Sequence, residues 1–178
     1  GGSSSVNGLV FIRGHALDYD GWQQAGCEGW GYANVLPYFK RMETYGGGPD
    51  EFRGGDGPLH VHRADPKDPL TLAFMEAGIQ AGYPETRDIS GYCQEGFGVP
   101  ARTVYKGERW STAKAYLDPA RQRPNLKIAT HAHVRKLTFD GRRTTGVTYK
   151  DRTGQVVTAH AAKEVILSAG AVGSPHLL

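Results

Sequence analysis

A chain of 178 residues is long enough for one domain with its own core and does not by itself require a second. With 39% hydrophobic and 22% charged residues it has a globular composition, and no run of eighteen apolar residues offers a membrane span. The formal charge of +3 is small and its Lys and Arg are scattered, which excludes a basic groove for nucleic acid. Cys27 and Cys93 have no C-x-x-C spacing, so reduced thiols and a cytoplasmic protein are expected, with peripheral association at an inner membrane left open.

The opening stretch, Gly1-Gly2-Ser3-Ser4-Ser5-Val6-Asn7-Gly8, is small and polar. Glycine lets another molecule come close to the backbone, and successive N–H groups with Ser hydroxyls suit phosphate oxygens. Asn7 adds an amide with donors and an acceptor. No Lys-Ser/Thr pair follows the glycines, so a Walker-type site is excluded. A flexible linker is the plain alternative, but the run passes directly into Val-Asn-Gly-Leu-Val-Phe-Ile.

Residues 8–12 are apolar and predicted buried, and Asp18 is a predicted N-cap for a short helix over 18–22. Val35, Phe39 and Met42 recur at i, i+4 and i+7, predicting a helix over 32–42 that tolerates Pro37. Residues 46–58 read as loop and 59–63 as an alternating strand. Asp68 or Pro69 opens a helix through Ala81 that Gly82 stops. A strand over 99–104 and a turn at 106–108 lead to Ser111, the predicted cap of a short helix ending before Pro119.

A β-meander follows, with strands over 126–130, 134–139, 144–149 and 155–159 and a hairpin signal at Asp140-Gly141. Val165-Ile166-Leu167 reads as a buried strand, and the small Ser168-Ala169-Gly170 after it would let a ligand approach. Ser174-Pro175 reads as N-cap and first residue of a last helix. Because the chain opens inside a functional loop and stops in an apolar helix, it is expected to be an internal fragment of a longer protein.

The order Gly1-Gly2-Ser3-Ser4-x-Val6-Asn7-x-x-x-Phe11-x-x-Gly14, closing with Asp20, resembles the first signature of the glucose–methanol–choline (GMC) flavin oxidoreductases. Leu36-Pro37-Tyr38-Phe39-Lys40-x-Met42-Glu43 and Arg109-x-Ser111-Thr112-Ala113-x-x-Tyr116-Leu117 are similar to the same family. Gly170-Ala171-x-x-Ser174-Pro175-x-Leu177-Leu178 resembles the first half of its second signature. The likeness implies an α/β (mixed α+β) fold: part of a Rossmann-like FAD-binding domain with a β-meander, and part of a substrate-binding domain. Residues 1–65 and 121–178 would belong to the former and 66–120 to the latter.

By the same likeness Gly1, Gly2, Ser3, Asn7 and Gly8 lie along FAD, and Val134 meets its adenine end through the backbone. Val134 reads equally well as a plain strand residue. Ser168, Ala169 and Gly170 would pass near the adenosine and pyrophosphate. Val6 stands where some members carry the His that attaches FAD covalently, so a non-covalent cofactor is expected. The implied reaction takes a hydroxyl proton to a base and the α-hydride of an alcohol to flavin N5.

The Ser-rich loop, Arg13-Gly14-His15, Asp56-Gly57-Pro58-Leu59 and Gln94-Glu95-Gly96-Phe97-Gly98 resemble the choline dehydrogenase-like branch most. That implies oxidation of choline to betaine aldehyde, with other primary alcohols open and the electron acceptor, oxygen or quinone, unassigned. The catalytic His is expected downstream, since none of the seven His fits its motif; His15 reads as structural or surface. The rival reading is a non-catalytic metal-binding β-module using His60/His62 and His131/His133, although no nearby Glu or Cys completes either pair. Cut from its neighbours, the chain is expected to be inactive and to self-associate through strand edges.

Overall fold

The computed structural model describes residues 2–178, and the prediction for Gly1 lies outside the described residues. The chain forms two compact units, divided between Arg123 and Pro124. Its mixed α/β make-up agrees with the fold class expected from the sequence.

The first unit is assembled from short ladders. Its strands are β1 (Val10–Phe11), β2 (Glu43–Tyr45), β3 (Leu59–Val61), β4 (Ala101–Arg102), β5 (Val104–Tyr105) and β6 (Glu108–Arg109). β1 pairs antiparallel with β4, β2 parallel with β3, and β5 antiparallel with β6. Leu59, Val61, Ala101 and Ala115 form the buried core, with Phe11, Met42, Tyr45 and Trp110 packed against it. The predicted burial of residues 8–12 is only half correct. Successive side chains of an extended segment face opposite ways, so Val10 and Ile12 are 46% and 61% exposed while Phe11 packs inward.

Helix α1 (Ala16–Gln24) begins earlier than predicted, and His15 rather than Asp18 is its cap. His15 Nδ1 accepts the Leu17 N–H at 3.2 Å, and Asp18 returns by accepting the His15 N–H at 2.8 Å. Asp18 therefore sits at the third position of a capping box, where a carboxylate satisfies the cap's own amide. Helix α2 (Tyr32–Met42) has the predicted bounds, and Asp20 accepts its first N–H, that of Tyr32, at 2.8 Å. Helix α3 (Pro69–Gln80) is capped by Asp68, which accepts the Thr71 N–H at 2.8 Å, and Gly82 follows with φ +92°.

Two predictions fail between residues 99 and 120. The strand over 99–104 is broken at Thr103, whose N–H turns to Leu9 O at 2.9 Å instead of a ladder partner. The helix after Ser111 does not end before Pro119. A wider π-turn over Ala113–Leu117 runs into α4 (Asp118–Ala120), which carries Pro119 within its first two positions.

The second unit is an antiparallel meander of β7 (His133–Asp140), β8 (Arg143–Lys150) and β9 (Val156–His160), followed by α5 (Gly170–Leu177). The Asp140-Gly141 hairpin and the turn at Asp151 are where the sequence predicts them. Residues 126–130 and 165–167 are not strands, because alternation or apolarity alone cannot make a ladder and neither segment has a pairing partner among the described residues. Ile128 and Ile166 are accordingly 45% and 79% exposed. Helix α5 starts before Ser174, which acts from inside it by accepting the Ala169 N–H at 3.0 Å.

Candidate functional site

The opening loop is curled by its own backbone. A short 3₁₀ turn at Ser3–Ser5 places the Val6 and Asn7 N–H groups on Ser3 O, at 3.0 and 2.8 Å. Gly2 holds φ +60°, a conformation that disfavours any side chain, and nothing in the chain lies within 4 Å of a Cβ added there or at Gly8. The loop therefore presents an open face of hydroxyls, amide and backbone. Gly2, Ser3, Asn7 and Gly8 are brought together on it.

Side chains about a hundred residues downstream hold this loop in place. Arg109 Nη1 donates to both Ser4 O at 3.1 Å and Asn7 Oδ1 at 2.9 Å. The Thr112 N–H donates to Ser4 Oγ at 3.1 Å, and the two hydroxyls are 3.0 Å apart. Thr103 supports Leu9 through its carbonyl, by N–H at 2.9 Å and hydroxyl at 3.3 Å. Sequence reasoning singled out Arg109 and Thr112 only as part of a family likeness, since nothing local to them points back to Ser4.

A buried ion cluster ties β2 to its surroundings. Glu43 is fully buried, and its Oε1 accepts Arg13 Nη2 at 2.6 Å and the Gly54 N–H at 3.0 Å. Arg53, also fully buried, brings Nε to 3.4 Å from both Glu43 Oε1 and Asp88 Oδ2. Its guanidinium lies over the Tyr45 ring at 4.0 Å. Burial pushes the Arg13 pKa down, against the opposing pull of Glu43, and burial likewise pushes the Tyr32 and Tyr45 hydroxyls up. Gly54 is required by contact: an added Cβ would overlap the Lys40 carbonyl oxygen and stand 2.7 Å from Glu43 O.

In the second unit Val134 and Ala169 line one cavity of about 630 Å³, together with His133, Arg135, Gly173 and His176. Val134 pairs with Tyr149 in the ladder, while Ser168 and Gly170, either side of Ala169, are exposed. The two His-x-His pairs gather no third ligand: the described residues contain no group of three or more His, Cys, Asp or Glu placed to hold a metal. His60 is stacked on Tyr105, ring centroids 3.7 Å apart, which uses it as a packing surface.

Against known proteins, the sequence profile of the GMC oxidoreductases matches residues 1–178. The chain belongs to the GMC oxidoreductase family. It is 54% identical, over its whole length and 32% of the relative's, to the oxygen-dependent choline dehydrogenase of Burkholderia multivorans. Among solved structures it is similar to pyridoxine 4-oxidase from Mesorbium loti, with TM-score 0.92 and 34% identity over 99% of this chain and 35% of that one. An FAD-dependent oxidoreductase from Chaetomium thermophilum aligns with TM-score 0.91 and 27% identity over 99% of this chain and 33% of that one. The chain thus spans about a third of the length of the curated relative it matches.

The GMC fold carries FAD, and the residues present fit such a group. The loop's donors are neutral hydroxyl, amide and backbone groups, and its glycines leave the space above them open. Neutral donors of this kind suit the phosphate and carbonyl oxygens of a dinucleotide. Among the described residues no helix is long and apolar enough to cross a membrane.

Proposed function

We propose that the full-length protein oxidises a primary alcohol, choline to betaine aldehyde, with non-covalently held FAD. The observation that carries the substrate is the 54% identity, over the whole chain, to a choline dehydrogenase. By the family likeness Gly1, Gly2, Ser3, Asn7 and Gly8 are assigned to the flavin and pyrophosphate. By the same likeness Val134 is assigned to the adenine end, and Ser168, Ala169 and Gly170 to the adenosine and pyrophosphate. When bound there, FAD supplies the two-electron acceptor, its N5 receiving the hydride of the alcohol carbon.

This chain's part is to bind and orient. The hydroxyl proton goes to a base that the family likeness assigns outside these residues, because none of the seven His fits the family's catalytic motif and His15 is spent capping α1. Val6 is 83% exposed and its side chain cannot form a covalent link, which supports a dissociable cofactor. Residues 66–120 are assigned to the substrate domain and the remainder to the FAD domain. The thiols of Cys27 and Cys93 are free and exposed, which suits a cytoplasmic location with peripheral association at an inner membrane left open.

Steady-state rates with choline, ethanol and benzyl alcohol, using an artificial electron acceptor and then oxygen or a quinone, test the reading. Choline should be preferred, and acid precipitation should leave the flavin in the supernatant. Equal rates with ethanol would overturn the choline assignment, and a yellow pellet would overturn the non-covalent one. The fold match to pyridoxine 4-oxidase favours a second reading, another alcohol, which the same rates would reveal.

A further inference from the structure

The opening loop adopts a conformation that its own sequence does not favour. Leu9 has φ +68°, in the left-handed region where a side chain crowds the backbone, although it is not glycine. Such a residue persists only where its surroundings hold it. Both polar groups of Leu9 are held: its N–H donates to Asn7 Oδ1 at 3.1 Å, and its carbonyl accepts from Thr103. The conformation therefore depends on Asn7, and Asn7 depends on Arg109.

Arg109 makes that dependence specific. One guanidinium nitrogen, Nη1, bridges a main-chain carbonyl at Ser4 and a side-chain oxygen at Asn7, so a single group sets the spacing of two points on the loop. Asn7 Oδ1 has two acceptor positions, and both are used, by Arg109 and by the Leu9 N–H. This decides which way the amide faces. The oxygen is committed to these two protein donors, and the N–H₂ group of this exposed residue makes no hydrogen bond among those found in the described residues, so it remains a pure donor. Because the bond to Arg109 is charge-assisted, it also polarises the amide and strengthens that donor. Neighbouring Lys114 is paired with Glu108, whereas Arg109 enters no ion pair among those found in the described residues. Its charge is thus directed to the loop.

We propose that Arg109 is a positioning residue of the flavin loop, which acts through Asn7 by fixing the amide with its N–H₂ donors outward. The proposal rests on the reading of this loop as flavin-binding. FAD affinity and the electronic environment of the bound flavin then depend on a side chain from β6 that need not touch the cofactor. Lys should replace it only in part: its ammonium can also donate to two acceptors, but as a rotating point charge on a flexible stem, without the guanidinium plane that aims the two Nη1 hydrogens.

The test is a double-mutant cycle in the full-length holoenzyme. Arg109→Ala, Arg109→Lys, Asn7→Ala and the double alanine variant are compared by FAD titration, by visible circular dichroism of the bound flavin and by the melting temperature of the apoprotein. Arg109→Ala should weaken FAD binding by about tenfold or more, the size of one charge-assisted hydrogen bond, and should change the flavin circular dichroism. In the Asn7→Ala background the same substitution should cost less than about threefold, because its route to the cofactor is already gone. Arg109→Lys should fall between.

Asn7→Asp checks the amide independently: the acceptor for Arg109 is kept and the donors are lost, so FAD binding should fall while the apoprotein melts no lower. Equal losses from Arg109→Ala in both backgrounds overturn the proposal. So does an apoprotein that melts lower with FAD affinity and circular dichroism unchanged, or failure of both Arg109 variants to fold; either makes Arg109 a stability residue only. Unaltered FAD binding by Asn7→Asp overturns the outward orientation. If the unmodified holoenzyme carries no FAD and binds none, the flavin reading of the loop fails first, and this proposal falls with it.

Discussion

Replacing Glu43 by Gln should open the first unit locally by about 3–5 kcal/mol, the cost of removing one member of a buried ion pair. The substitution keeps size and shape, so no cavity term enters, and the amide oxygen can still accept the Gly54 N–H. What disappears is the negative charge 2.6 Å from Arg13 Nη2 and 3.4 Å from Arg53 Nε. Two guanidiniums then remain buried, and among the described residues the remaining carboxylate paired in the cluster is Asp88, 3.4 Å from Arg53 and with a side chain 22% exposed. Arg13 is not released by deprotonation near neutral pH: although burial pushes its pKa down, arginine starts far above the range where it would titrate. Were the cluster effectively solvent-screened, the loss would instead be about 0–1 kcal/mol.

The two limits are separable. At about 1.4 kcal/mol per decade, the buried case predicts amide exchange faster by roughly two to three and a half decades. Hydrogen-exchange mass spectrometry of the full-length protein, on peptides covering residues 43–58, reads that change without relying on global two-state unfolding. An acceleration below about fivefold would refute the reasoning and show that the cluster contributes little.

Asp68 accepts the Thr71 N–H and hydroxyl, and the backbone bond first, then the side-chain bond, lowers its pKa below the ordinary 3.8. A depressed carboxyl stabilises the fold above its unfolded-state pKa and stops doing so as pH falls through the lower folded value. Asp68→Ala should therefore melt below the unmodified protein at neutral pH, with the gap closing in strong acid; a gap independent of pH would refute the cap assignment. The isolated 178-residue chain should self-associate, since residues 165–167 are unpaired among the described residues and Ile166 is 79% exposed. Light scattering showing a stable monomer would refute this.

The elements legible in the sequence are those whose determinants lie within a few residues. Helix α2 follows from Val35, Phe39 and Met42 at helical spacing, and α3 from Asp68 and Pro69 at one end and Gly82 at the other. The Asp140-Gly141 turn marks the β7–β8 hairpin, and the Gly-Gly-Ser-Ser-Ser run with Asn7 marks the loop. Caps, turns and periodicity act over one or two turns of chain, so a linear reading captures them. Even there it misassigned α1, because a histidine cap competed with the more familiar aspartate three positions on.

Tertiary structure decided whatever needs a distant partner. Residues 126–130 and 165–167 have strand-like patterns, yet a ladder requires a second strand at the right register. Glu43 looks like an ordinary helix-end carboxylate until the fold brings Arg13 and Arg53 to it and removes all three from water. Arg109 and Asn7 meet across a hundred residues of sequence. A guanidinium can satisfy any carbonyl within reach. Which one it meets is set by the packing of β5 and β6 beside the loop, and no term local to either stretch encodes that choice.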